Sequence, residues 1–312
     1  MSAYSEIAGS IPILKFHNDK FKIVQFTDLH WIEKSNYQKE NDSTMLLMRD
    51  VIQAEKPDLV VFTGDIVVSK GAAVAWRKIT QLMLETKVPF AITFGNHDTE
   101  TDLSKQQMLK IIQANPYNLT YNSDSTIQGV GNCTLPIKSD DGTSNKWIIY
   151  LFDSNSYTHD STLGYYDWIR GNQIAWYRRQ SIKYTSKQGY PLPSLAFFHI
   201  PFPEFDNIRK KGDFLGNSCE GVSSPSINSG LFAAFVEMKD VLGVFVGHDH
   251  NNDYIGKLHN IWLAYGRKTG YHAAYKEVLQ RGARVIVVYE NERKFETYIR
   301  TLDGTCFFKE CQ

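Results

Sequence analysis

Short runs of β-branched and aromatic residues recur along the chain, at Phe21 to Thr27, Asp58 to Thr63, Phe90 to Phe94, Lys146 to Phe152, Leu195 to Ile200 and Val241 to Val246. Runs this short and this apolar predict buried strands. Between the first three lie stretches of helical period. Thr44, Leu47, Val51 and Ala54 share one face of the first, and Trp76, Ile79, Leu82 and Met83 share one face of the second. Strand and helix alternating at about 30 residues per unit imply parallel strands joined by right-handed crossovers. Residues 100 to 145 turn rich in Asn, Ser, Thr, Asp and Gly after one short helical stretch at 103 to 113, which predicts irregular surface. Further helices are expected from Gln173 to Tyr184 and from near Ser226 to Lys239, the second capped by Ser224 or Ser226. Near the end, Ile261 to Ala264, Ala283 to Glu290 and Glu296 to Thr301 read as strands without helices between them, with a polar turn at Asn291 to Arg293. They predict a second, antiparallel-rich sheet packed on the first, a layered sandwich flanked by helices.

Composition narrows the class. The 312 residues carry 34 Lys plus Arg against 34 Asp plus Glu, a formal net charge of zero. That balance disfavours a basic nucleic-acid groove or a polybasic membrane patch. At 42% hydrophobic residues the chain can bury a sizeable core, and it does not have a disordered composition. One large domain over 21–303 is expected, between an N-terminal extension at 1–20 and a C-terminal tail at 304–312. No run approaches the roughly 20 apolar residues of a membrane span. No leader is visible at the start, so the chain as written is expected to be cytoplasmic. A secreted or vacuolar destination is the alternative if a signal peptide has been removed. Sequons at Asn41, Asn118 and Asn132 would bear only on that alternative. Cys133, Cys219, Cys306 and Cys311 are too few and scattered for a disulfide scaffold or a zinc knuckle.

Candidate chemistry follows the strands. Asp28 and His30 come after the first, Gly64 and Asp65 after the second, and Gly95, Asn96, His97 and Asp98 after the third. His199 ends the fifth, and Gly247, His248, Asp249 and His250 follow the sixth. In open α/β sheets, ligands bind in the crevice beyond the carboxyl ends of the strands. A hydrolytic two-metal site needs carboxylate and amide oxygens, neutral imidazoles, and one carboxylate able to bridge ions about 3.5 to 4 Å apart. Asp28 and His30 lie two apart, as do His248 and His250, so an extended backbone would put each pair on one face. A lone histidine is more often structural and a lone Gly-Asp is a turn. Seven candidate ligands at the ends of predicted strands are hard to assign to either.

The ordered set Asp28-Leu29-His30, Gly64-Asp65, Gly95-Asn96-His97-Asp98, His199 and Gly247-His248-Asp249-His250 resembles the signature of the calcineurin-like metallophosphoesterase superfamily. A closer resemblance, from about Phe21 to Thr301, is to the short purple-acid-phosphatase-related proteins of plants and fungi. It rests on FGNHD (94–98), FHIPFPEF (198–205), SSPSINSG (223–230), VGHDHNNDYIGK (246–257) and YGRKTGYHA (265–273). The resemblance implies a four-layered α/β/β/α sandwich of two mixed sheets flanked by helices, with a dinuclear metal centre. Asp28, His30 and His250 would hold one ion and Asn96, His199 and His248 the other, with Asp65 bridging. His97 would contact the phosphate and protonate the leaving oxygen, and Asp98 would orient His97. Two departures bear on the metal. Purple acid phosphatases carry Asp-x-Gly in the first block and a metal-binding tyrosine three residues after the bridging aspartate, where this chain has His30 and Val68. A lost phenolate and a gained imidazole shift the first site towards Mn, Zn, Fe(II) or Co. Relatives lacking that tyrosine are sometimes named inactive. His30 restores the ligand count, so activity is expected.

The expected function is hydrolysis of a phosphate monoester, on a small molecule or a phosphoprotein, by a metal-bridging hydroxide. A phosphodiesterase or nuclease with the same centre is the alternative among hydrolases, and neutral charge weighs against nucleic acid. A non-catalytic phosphate-binding relative would be expected to lose ligands, and only the tyrosine is missing. Trp31 and His272 are weaker site-lining expectations, each set against an ordinary core or rim role. Residues 204–211 and 223–230 read as loops over the site.

Overall fold

The computed structural model describes residues 12–274 and 278–311. Each apolar run predicted as a strand forms one: β1 (Lys20–Phe26), β2 (Leu59–Thr63), β3 (Phe90–Thr93), β5 (Asn145–Leu151), β6 (Ser194–Phe197), β8 (Val241–Val246), β10 (Ile261–Tyr265), β11 (Gly282–Tyr289) and β12 (Phe295–Thr301). Short strands complete the set: β4 (Cys133–Lys138), β7 (Phe214–Leu215), β9 (Ile255–Leu258) and β13 (Cys306–Cys311). The helices are α1 (Gln38–Glu55), α2 (Ala72–Thr86), α3 (Lys105–Ile112), α4 (Gly171–Gln188), α5 (Glu204–Lys211) and α6 (Leu231–Met238).

The strands make two mixed sheets, in the orders β13-β12-β11-β1-β2-β3 and β4-β5-β6-β8-β10-β9-β7. Parallel runs form the heart of each, β1-β2-β3 in the first and β5-β6-β8-β10 in the second. Alternation along the strands builds four layers. From β1, Val24 and Phe26 point into a core shared with Leu47, Val51, Trp76 and Ile79 of α1 and α2. Its intervening Ile23 joins Leu59, Val61, Ile149, Phe197 and Phe245 between the sheets. On the far side, Tyr150, Ala196 and Val244 pack beneath Trp176, Phe205 and Phe235 of α4, α5 and α6. The fold is therefore an α/β sandwich of two mixed sheets between helical layers.

Several expectations are corrected. The last strands do not form the second sheet: β11 lies antiparallel against β1, while β10 continues the parallel run beside β8. All eight residues of β11 are buried, and a strand with both faces apolar needs a central position between the helical layer and the facing sheet. Within 100–145, Cys133–Lys138 is an edge strand whose Pro136 hides it from a strand reading. Residues 204–211 are α5 rather than a loop. Glu204 and Asp206 open it, Arg209, Lys210 and Lys211 close it, and Gly212 ends it in a left-handed conformation. The helix expected from Ser226 starts at Leu231, with Gly230 as its N-cap and no side-chain cap.

Leu14 and Phe16 pack in the layer between the sheets, and residues 306–311 pair with β12. Asn41 and Asn132 are buried with their amides donated to the carbonyls of Ile32 and Gln128, which leaves neither accessible for glycosylation. Cys133 is a buried free thiol, and Cys219 and Cys306 are exposed ones; the Cys311 side chain lies outside the described residues. Among the described residues no helix is long and apolar enough to cross a membrane.

One buried cation ties the two sheets. Arg284 of β11 donates to the Tyr265 carbonyl at 2.7 Å, the Asp253 carbonyl at 2.6 Å and Thr297 Oγ1 at 3.1 Å. Burial draws its guanidinium down to about 10, and Arg267 closes on the Asp253 carboxylate beside it. Arg284→Met keeps the stem and strands these acceptors. It should cost about 2–4 kcal/mol of folding stability by chemical denaturation, and a loss below about 0.5 kcal/mol would show that the tie carries no weight.

Candidate metal centre

The carboxyl ends of β1, β2 and β3 in one sheet meet those of β6 and β8 in the other. The backbone beyond these ends is not extended. Asp28 has φ 53°, His30 49°, Asp65 51° and His248 81°, all left-handed. The pairs 28/30 and 248/250 therefore do not reach the site by strand alternation. Single left-handed residues aim them, and for Asp28 and His30 the β1–β2 ladder continues into the loops: Asp28 N–H to the Gly64 carbonyl at 3.1 Å and His30 N–H to the Asp65 carbonyl at 2.9 Å. Left-handed backbone disfavours residues with a Cβ by about 1–2 kcal/mol each, and such strain concentrates at functional sites. Two glycines permit the close approach. A Cβ on Gly95 would lie 2.2 Å from Asp65 Oδ1, and one on Gly247 would lie 2.0 Å from Thr27 Oγ1 and 2.7 Å from Asp28 Oδ2.

The structure gathers the predicted ligands into two groups, Asp28 with His30 and His250, and Asp65 with His199 and His248. Within each, the donor atoms all lie within 4.8 Å of one another. His250 Nε2 is 3.4 Å from Asp28 Oδ1. Asp65 Oδ2 stands between the groups, 3.0 Å from His199 Nε2 and 3.7 Å from His30 Nε2. The other oxygen of Asp65 accepts the His97 backbone N–H at 2.8 Å. Asn96 gives its amide hydrogen to Tyr157 Oη at 2.8 Å. Its buried Oδ1 has no hydrogen-bond partner, and neither do His30 Nε2 and His248 Nε2. Inward-facing oxygen and imidazole atoms left without partners are what a divalent cation would satisfy.

Hydrogen bonds set the tautomers. His199 Nδ1 lies 2.7 Å from the Thr63 carbonyl, which can only accept, so Nδ1 carries hydrogen and Nε2 faces Asp65. Burial disfavours the His199 imidazolium, but the Asp65 charge outweighs it and pushes this group up to about 9. Burial, with the nearby His199 charge, pushes His248 down to about 3, and burial also lowers His30. Burial would raise both carboxyls. For Asp28 the His250 hydrogen bond and the His199 charge win and hold it at about 2, and for Asp65 the His199 charge wins and holds it well below the usual range. At neutral pH the site thus presents ionised Asp28 and Asp65 and neutral His30 and His248, with protons and cations competing at His199 Nε2.

His97 lies in a single turn of 3₁₀ helix at His97–Glu100, its ring 5.3 Å from that of His30. The expected contact from Asp98 is absent. Asp98 Oδ1 accepts from the amides of Ile66 at 3.0 Å and Val67 at 2.9 Å, and Oδ2 accepts from Gly95 at 2.8 Å. It fastens the loop bearing Asp65 to the loop bearing Asn96, while burial and the Asp65 charge push it up to about 6. The carboxylate that reaches His97 is Glu100, with Oε1 2.9 Å from Nδ1. Its i,i+3 spacing from His97 was the available signal. Trp31 is packed in the core with its Nε1 bonded to Glu33 at 2.8 Å, not at a pocket wall. His272 faces Tyr37 and Glu40 rather than the ligands. Tyr157 and Tyr166, absent from the sequence expectations, touch the site: Tyr157 through Asn96, and Tyr166 with its ring 4.6 Å from His248. Asp98→Asn would set an amide N–H against at least one backbone N–H. It should lower stability by about 1–3 kcal/mol in thermal unfolding, and an unchanged melting temperature would refute the anchoring role.

The calcineurin-like phosphoesterase family matches residues 21–252. The chain is 36% identical over 306 residues to probable inactive purple acid phosphatase 29 of Arabidopsis thaliana, spanning 89% of this chain and 79% of that protein. It is 34% identical over 283 residues to phosphatase DCR2 of Saccharomyces cerevisiae, spanning 79% of this chain and 47% of that protein. Among solved structures, a dimetal phosphatase of Danio rerio shares the fold, with a TM-score of 0.62 at 13% identity over 93% of this chain and 99% of that one. A family match over most of the length, on a fold that gathers the family's motif residues at one edge, means that the chain belongs to the calcineurin-like phosphoesterase family.

Proposed function

We propose that the chain is a metal-dependent phosphoesterase that hydrolyses phosphate monoesters at a dinuclear centre. The observation that carries this reading is the position of Asp65 Oδ2 between two groups of ligands, within 3.0 Å of His199 Nε2 and 3.7 Å of His30 Nε2. Asp28, His30 and His250 would hold one ion, and Asn96, His199 and His248 the other, with Asp65 shared. Divalent ions there would supply Lewis-acid stabilisation of phosphoryl charge and would lower the pKa of a bound water towards neutrality. Imidazole in place of a tyrosinate suits Mn, Zn or Fe(II). The Arabidopsis relative is named probable inactive; in this chain the retained donor set supports turnover.

The protein's own contribution at the leaving group is His97. Asp65 holds its backbone and Glu100 holds Nδ1, which leaves Nε2 to face the ester oxygen. Burial would lower this imidazole, but the charges of Asp65 and Glu100 outweigh it and raise it above its ordinary value, which favours the form that donates a proton. A net charge of zero favours a phosphorylated small molecule or phosphoprotein over nucleic acid.

Purified protein supplied with Mn or Zn should hydrolyse p-nitrophenyl phosphate and lose that activity to a chelator. A preference for bis-p-nitrophenyl phosphate would favour a phosphodiesterase, and silence on both with metal bound would favour a non-catalytic role. Asp65→Ala should strip both ions in elemental analysis, whereas His97→Ala should retain them and lose about 10²–10⁴ in kcat. Equal metal loss in the two variants would contradict this division of roles. Glu100→Gln should keep the metal and lower kcat by about tenfold or more, and an unaltered kcat would remove Glu100 from the mechanism.

A further inference from the structure

The segment from Ser156 to Asp167, between β5 and α4, is a hairpin that reaches the metal centre. Its base is closed by an antiparallel bridge between Tyr157 and Tyr166, with Thr158 N–H donating to the Tyr165 carbonyl at 3.0 Å and Asp167 N–H to the Ser156 carbonyl at 2.9 Å. Its tip is also seated. Gly164 has φ 103°, and a Cβ there would lie 2.3 Å from Ser226 Oγ of the facing segment.

The hairpin carries three tyrosines in mutual contact. Ring centroids are 5.1 Å apart for Tyr157 and Tyr165, 4.9 Å for Tyr165 and Tyr166, and 6.1 Å for Tyr157 and Tyr166. The cluster starts at the ligands, with Tyr166 edge-on to His248 at 4.6 Å and Tyr157 6.4 Å from His97. It ends in solvent, where Tyr165 is 67% exposed. A single exposed tyrosine is ordinary. A contiguous aromatic surface running outward from two site histidines is not, and its steps match the 4.5–7 Å at which aromatic rings attract one another. The Tyr157 hydroxyl is already engaged by Asn96 and Glu100, so what this residue adds for a ligand is its ring. The hairpin holds Asp160 and Asp167 and no Lys or Arg, which disfavours a polyphosphate or a nucleic-acid backbone and suits an uncharged ring.

We propose that this hairpin is the leaving-group subsite, and that the substrates are aryl phosphates, monoesters whose ester oxygen sits directly on an aromatic ring, such as a phosphotyrosyl side chain. The proposal rests on the phosphoesterase reading above and names its substrate class. Tyr165 and Tyr166 receive the ring while the phosphoryl group lies among the ligands.

The test uses Mn-loaded protein and two non-hydrolysable probes, phenylphosphonate and methylphosphonate, with affinities from titration calorimetry. Phenylphosphonate should bind the wild type about three- to tenfold more tightly. Tyr165→Ala should abolish most of that preference and Tyr165→Phe should retain it. In parallel, Tyr165→Ala should lower the ratio of kcat/KM for phenyl phosphate over glycerol phosphate by a similar factor. Comparing variants cancels the greater intrinsic reactivity of aryl esters. Equal binding of the two phosphonates by the wild type, or a preference that survives Tyr165→Ala, would overturn the proposal. A phenyl preference without turnover of either ester would uphold the subsite and defeat the hydrolase reading. Turnover without the preference would do the reverse, and failure of both probes to bind together with no turnover of either ester would overturn both.

Discussion

The arrangement depends on one carbonyl. Thr63 ends β2, and its oxygen accepts from His199 Nδ1 at 2.7 Å, across the gap between the sheets, and from Thr27 Oγ1 at 2.9 Å within its own sheet. The first bond fixes which nitrogen of His199 meets Asp65. The second holds the residue before Asp28, and Thr27 Oγ1 also reaches Asp28 Oδ2 at 2.8 Å. Asp28 in turn accepts the His248 backbone N–H at 3.1–3.2 Å from the opposite sheet. A slip of one sheet past the other would break these bonds together, so the packing of the sandwich and the geometry of the site are a single constraint.

Gathering these groups is electrostatically expensive. Asp28, Asp65 and His199 are almost wholly buried, and like charges at this range in a poorly polarisable interior repel strongly. The fold counters this with the His199 imidazole against Asp65 and with backbone amides aimed at Asp65, Asp98 and Asp28. Asp98 belongs with that support. Its oxygens take three amides from the loops that carry Asp65 and Asn96 and so tie the two loops to each other. A group of carboxylates and imidazoles so poised gains much by sharing cations, so ion binding and folding stability should be linked.

Around this rigid floor the more adaptable parts come from outside the motif blocks. Glu100 reaches His97 from the end of its short turn. The hairpin at 156–167 comes from a stretch of the second sheet whose composition is that of an ordinary loop. The floor supports the chemistry proposed for the family's centre, and the hairpin is where this chain would distinguish one ester from another.

Some of this was legible in the chain alone. Strand positions, most helices and the places where ligands follow strands are local properties, carried by apolar runs and by residues within a few positions of them. Seven ligand positions could thus be named before any pairing was known, and the structure brings six of them into two clusters, with the Asn96 oxygen left unpartnered nearby. Which sheet each late strand joins was not local. The doubly buried face of β11 is visible only when β1 lies beside it, and Pro136 in β4 conceals a strand that exists because β5 offers an edge. Asp98 and Glu100 are separable in the chain only through the i,i+3 spacing of Glu100 from His97. The two sit in the same short turn, and a difference of one residue against three from His97 decides which carboxylate meets backbone amides and which meets the ring. The sequence by itself determined which atoms could hold a cation. Only the tertiary structure decided which of them share it and what covers them, because those answers depend on contacts between residues more than a hundred positions apart.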